Sequence, residues 1–190
     1  MRAPLPKLLG ASLLFGALLG GCAHRDVDMD PTDQIVAAEF SDANVAAVLS
    51  SINALEIETS RLALERSQNP NVRMFAQRMI RDHSALQDAQ NQMLAARDMT
   101  ARHNAASVKM TRNLEPTLAQ LGRLSGADFD RAYIALQRSA HQDAINSIDR
   151  TLAPTTRDPG LRQFITQQVR PRLASHLQWI QEIDRVHVGS

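Results

Sequence analysis

The sequence predicts an all-α fold built around four long helices packed as a bundle. Apolar residues recur at intervals of three and four through most of the chain beyond residue 40, the period of a helix with one buried face. Helix-opening residues stand at the head of each such stretch, and no segment alternates with period two for long enough to make a strand. About 169 residues follow an amino-terminal leader, enough for one domain with a core of its own.

In chain order, the leader comes first. Arg2 and Lys7 supply a positive start, and Leu8 to Leu19 form an apolar run of about a dozen residues, the length of a secretory core and too short to span a membrane. The run ends Leu19-Gly20-Gly21-Cys22, which resembles the lipobox of bacterial lipoproteins. That resemblance implies that residues 1–21 are a signal peptide, that the Cys22 sulfur is lipidated, and that the amino terminus freed by cleavage is acylated as well. Several acyl chains on one residue hold a protein where a single chain would not. Ala23 stands where an aspartate often directs retention in the inner membrane, so the expected address is the periplasmic face of the outer membrane.

Cys22 is the only cysteine, so no intrachain disulfide can form and stability must come from packing. All 20 acidic residues and all but two of the 21 basic ones follow the leader, which leaves a formal charge near −1. Neither a nucleic-acid partner nor a polybasic membrane patch fits that balance. Residues 22–40 carry Asp26, Asp28, Asp30 and Asp33 around Pro31 without a sustained period. They read as an acidic, flexible tether ahead of a bundle over residues 41–187.

The helices expected next cover about 42–67, 70–98, 126–153 and 159–186. Ser41 caps the first, with Phe40 and Val45 placed as a hydrophobic staple. Asn69-Pro70 and Asp158-Pro159 each put a capping side chain before a proline at the first helical position. Ser125 with Asp128 forms an acidic version of the capping box. Between the second and third helices, residues 99–125 make a long connection in which Glu115-Pro116 opens a short helix, Thr117 to Leu124, with Leu118, Leu121 and Leu124 as its contacts. A helix of about 28 residues is ~42 Å long, a span this connection can cross. Bundles with one such crossover are the ferritin-like group; a simple up-down bundle is the alternative.

Each apolar stripe holds one titratable residue near its middle. Glu56 falls within Val45, Val48, Leu49, Ile52 and Leu55; His83 among Val72, Phe75, Met79 and Leu86; His141 among Tyr133, Ala144 and Ile148; and His176 among Leu161, Phe164, Ile165, Ile180 and Ile183. Glu56 and His83 should lie at the same depth, and His141 and His176 within about one turn, a mismatch that a kink at Pro171 would partly absorb.

The set Glu56, His83, His141 and His176 therefore invites a metal. Imidazole suits zinc, copper or iron, and a carboxylate adds charge balance, with Asp82 or Tyr133 in place to orient a ligand from behind. Carboxylate-bridged di-iron bundles use Glu-x-x-His on two helices. Ile80, Arg138 and Leu173 stand three residues before the histidines here, so ferroxidase chemistry is disfavoured. The competing expectation is a buried polar network in which histidines share protons with Glu56 and fix the helix register. Met93, Met99 and His103 are better read as core filling than as a soft-metal site. Asp82-His83-Ser84 cannot form a hydrolase relay, because consecutive helical side chains diverge. The chain has no Gly-rich phosphate loop, Cys-x-x-Cys pair or His-Glu-x-x-His.

Taken together, Glu56-Ile57-Glu58, Leu62-Ala63, Phe75-Ala76, Met79, Asp82-His83, Gly126, Phe129-Asp130, Tyr133, His141, Pro171 and His176-Leu177 resemble the bacterial DUF4142 family over about residues 40–184. The resemblance implies an exported domain, often a lipoprotein, with a ferritin-like bundle and no assigned activity. Two functions are then expected. The first is a noncatalytic envelope interaction or stress-related module, held at the membrane through Cys22 and meeting an envelope protein. The second is a metal-binding or redox protein using the interior cluster, with iron, zinc or copper as its cofactor.

Overall fold

The computed structural model describes residues 40–187. The leader, Cys22 and the tether before Phe40 lie outside the described residues. Among those described the chain forms five helices and no strand. They are α1 (Asp42–Arg66), α2 (Pro70–Ala95), α3 (Ala105–Gly122), α4 and α5. Helix α4 runs Gly126–Ser147 and continues through a π-helical turn, Ile148–Leu152, into Ala153–Thr155. Helix α5 runs Pro159–Phe164, a π turn Ile165–Val169, then Arg170–His187. No helix among the described residues is long and apolar enough to cross a membrane.

Most expected caps form. The Ser41 hydroxyl accepts from the Asn44 N–H at 3.3 Å, and Asn44 Oδ1 accepts in return from the Ser41 N–H at 3.2 Å. Asn69 Oδ1 accepts from the Asn71 N–H at 3.0 Å, and Asp158 Oδ1 from the Leu161 N–H at 2.7 Å. The box at Ser125 does not form. Ser125 is exposed and makes no side-chain cap, Gly126 takes a left-handed φ of 53°, and Asp128 pairs with Arg131 instead. Helix α2 also stops at Ala95, short of residue 98, where Asp98 turns the chain out with a φ of 49°.

The connection is more ordered than its sequence implies. Its helix opens at Asn104, ahead of the expected start at Thr117, because Asn104 and Ser107 form a reciprocal capping box with both bonds at 3.0 Å. Pro116 then lies exposed in the helix interior, at the cost of one backbone hydrogen bond. This helix carries the crossover. The Arg102 N–H donates to Ala43 O at 2.8 Å, so α3 begins beside the start of α1, and Gly122 ends it beside Arg66 at the end of α1. Helix α4 then returns: the Arg157 and Asp158 N–H groups donate to Asp42 at 2.7 and 2.9 Å. Thus α2 and α4 run parallel to each other and antiparallel to α1 and α5, the ferritin-like order.

Lying between the bundle and α3, α1 is buried around more than one face. Its Ser51 hydroxyl is buried near Ser107 O, and α1 is correspondingly less amphipathic than the others. Both π turns precede a proline by two residues, Pro154 in α4 and Pro171 in α5. A proline ring crowds the carbonyl four residues before it. Those carbonyls belong to Arg150 and Gln167, inside the widened turns, so the strain expected as a kink at Pro171 is taken up as a π turn.

The core has two apolar halves. One gathers Val45, Val48, Leu49, Ile148, Leu152, Leu161 and Ile165 near the Asp42 end. The other gathers Ala63, Val72, Phe75, Met79, Phe129, Tyr133 and Ile180 near the Arg66 end. Between them runs a buried layer of polar side chains: Asn53, Glu56, Thr59, Ser60, Asp82, His83, Gln137, His141 and His176.

Candidate metal centre

Three histidines from three helices meet in that layer. His83 on α2, His141 on α4 and His176 on α5 are all buried, and one ring nitrogen from each lies within 4.8 Å of the other two. Their ring centroids are 5.3 to 5.8 Å apart. The closest approach is 3.2 Å, between His141 Nε2 and His176 Nδ1.

The outward nitrogens decide the chemistry of the inward ones. His141 Nδ1 lies 2.9 Å from the Gln137 backbone carbonyl, an acceptor only, so it carries a proton. His176 Nε2 lies 3.0 Å from Asp82 Oδ2. Burial alone would raise the Asp82 carboxyl, but the His176 hydrogen bond and the Arg78 guanidinium outweigh it and hold the group well below the usual carboxylate range. Asp82 is therefore ionised and His176 Nε2 donates to it. His83 Nδ1 lies 3.0 Å from Asn53 Oδ1, whose amide nitrogen is committed to Gln87 Oε1 at 3.2 Å, so this nitrogen donates too. Assigned from these partners, each neutral ring presents a lone pair at its other nitrogen: His83 Nε2, His141 Nε2 and His176 Nδ1. His83 Nε2 is buried with no hydrogen-bond partner among the described residues.

Burial favours those neutral rings. It pushes the His141 imidazole down to about 3, with His176 adding to the shift. Desolvation also lowers His176, partly opposed by Asp82, and lowers His83 well below its ordinary value, reinforced by His141 and His176. A proton placed among the three rings is thus disfavoured, while lone pairs facing one another repel. A cation with open coordination positions would satisfy all three.

Glu56 stands apart from that group. Its Oε1 lies 3.6 Å from His141 Nδ1, the outward nitrogen, and its Oε2 has no hydrogen-bond partner among the described residues. Desolvation raises its carboxyl to about 8, with Gln137 offsetting part of the shift. Of the two residues expected to orient a ligand, Asp82 bonds directly to His176. Tyr133 instead bonds its hydroxyl to Ser60 Oγ at 2.8 Å and packs between Phe75 and Phe129. Asn53 and Gln137 escaped the sequence reading, although each sits four residues along the stripe from an apolar or histidine position.

A model of the family described as a domain of unknown function, DUF4142, matches residues 29–183. The chain belongs to the DUF4142 family. The matched span contains the whole polar layer of this family member. Curated proteins and solved structures offer no match to it.

Proposed function

We propose that this DUF4142 domain binds one divalent first-row transition-metal ion on His83 Nε2, His141 Nε2 and His176 Nδ1, and that Cys22 anchors it by lipid in the cell envelope. The observation that carries the metal reading is the donor bookkeeping: every outward nitrogen donates to a fixed acceptor, which leaves three lone pairs converging among buried side chains. Metal-binding histidines are oriented in this way, by an outer carboxylate or carbonyl. For the closest pair the spacing fits as well. Two nitrogens bound to one tetrahedral zinc stand ~3.4 Å apart, against 3.2 Å for His141 and His176.

Three imidazoles leave a fourth position for water or another small ligand, and zinc, copper and iron all accept such a set. The competing reading, a noncatalytic interaction module whose polar layer fixes helix register, needs one proton held between His141 and His176. Metal analysis of protein purified from the cell envelope separates the two. The metal reading expects one first-row metal per chain, lost in His83→Ala and His176→Ala. Absence of metal, together with melting unchanged by added zinc, iron or copper, contradicts it.

A further inference from the structure

The surface outside the Asp82–His176 pair carries more positive charge than that pair requires. Between α2 and α5 lies an open cavity of about 350 Å³, lined by Arg78, Ser175, His176, Gln178, Trp179 and Glu182. Beside it three guanidinium groups converge on one carboxylate, Asp82, which bonds to the lining residues Arg78 and His176; of the three, Arg78 lines the cavity itself. Arg78 Nε is 2.8 Å, Arg81 Nε 3.3 Å and Arg172 Nη1 3.4 Å from Asp82 oxygens. One of them with His176 is enough to keep Asp82 ionised. The other charges have no such task, and the single acid among the cavity's lining residues, Glu182, leaves the group with a net charge of one positive unit.

The donors are also largely unspent. A guanidinium offers five N–H groups, and each of these three directs one nitrogen at Asp82; among the described residues no other protein acceptor bonds to them. Arg78 lies over the Trp179 ring, 5.9 Å from its centroid, which holds its fork in place. Ser175 and Gln178 add neutral donors. A cation would be repelled here, and an apolar ligand would find only Trp179.

We propose that a small tetrahedral oxyanion, of the phosphate type, binds where this cavity borders the arginine cluster, between the unspent N–H groups of Arg78, which lines the cavity, and Arg172, which shares Asp82 with it, with Ser175 and Gln178 completing its hydrogen bonds. Planar forked donors suit such an anion, and charge-assisted bonds are the strong ones. The anion draws on the same guanidinium groups that hold Asp82, and Asp82 orients His176. Oxyanion and metal are therefore linked, and each changes the other's affinity by the same factor. The oxyanion site itself does not depend on the metal reading.

The test is titration of inorganic phosphate into the purified metal-free protein, followed by calorimetry and by the fluorescence of Trp179, the chain's single tryptophan. The expected result is saturable one-site binding that weakens as sodium chloride is raised. Arg78→Gln and Arg172→Gln each weaken it by roughly tenfold or more, and Glu182→Gln, which leaves the Asp82 contacts intact, tightens it. Lack of saturable binding overturns the proposal, as does binding that is indifferent to the arginine variants. Since the arginine substitutions also loosen the α2–α5 seam, Glu182→Gln is the independent check: weaker binding in that variant overturns the proposal too.

Discussion

Asp82 and Glu56 are both buried carboxylates beside a histidine, yet one is charged and the other neutral. Asp82 sits at the α2–α5 seam, where Arg78, Arg81 and Arg172 reach it from the surface. Glu56 sits between α1 and α4, sealed among Thr59, Gln137, His141 and Tyr133 with no cation in contact. Both side chains are closed to solvent, but Asp82 lies close under the surface and Glu56 deep in the core, so depth and partners together make the difference. A carboxylate that meets guanidinium groups keeps its charge and can tune a ligand; one closed off from them gives the charge up.

The sharpest way to break this comparison is to remove a histidine. His176→Ala should reduce zinc affinity by more than the ~10–100-fold that loss of an outer partner costs, as read by competition with a chromogenic chelator. An unchanged affinity would mean that the inward nitrogens are not ligands.

The next effect separates the two sides by pH in the metal-free protein. Glu56 is raised from 4.5 to about 8, so the fold holds a proton that the unfolded chain releases. That stability is fully present below pH 4.5 and is lost as the pH rises toward 8, with a ceiling of about 5 kcal/mol. The histidines act oppositely. Their lowered values give stability above pH 6.5 that is lost as the pH falls, toward about 3 for His141. Denaturant unfolding across this range should show both limbs, and Glu56→Gln should flatten the alkaline one alone.

Asp82→Asn comes third, with a loss of roughly 10–100-fold in zinc affinity and little change in the alkaline limb. Smallest is Tyr133→Phe, which removes the bond to Ser60 and should cost about 1 kcal/mol of stability while leaving zinc affinity untouched. A large metal effect from Tyr133→Phe would erase the distinction between the two sides.

The bundle was legible because its signals are local. Caps at Ser41, Asn69 and Asp158 and the apolar stripes placed four helices, and the stripes placed Glu56, His83, His141 and His176 in one layer. Two things depended on tertiary context. Connectivity turned on α3, whose start is set by a reciprocal bond between Asn104 and Ser107 that a conspicuous Glu115-Pro116 pair obscures. Side-chain convergence turned on where each residue sits across its helix face, which periodicity specifies only to within about a quarter of a turn. Thus three histidines meet, whereas Glu56, on the same stripe logic, faces the far side of His141. The partners Asn53 and Gln137 were hidden for a related reason: an amide inside an apolar stripe announces no chemistry until the ring it holds is in view.

The central claim is that three inward nitrogens converge to take one metal ion. X-ray absorption at the zinc edge, on protein loaded with a single equivalent and confirmed stoichiometric, measures this directly. The account predicts three imidazole nitrogens at about 2.0–2.1 Å and the loss of one in His83→Ala. Zinc that fails to load, or a shell dominated by oxygen and unaltered in that variant, would contradict it.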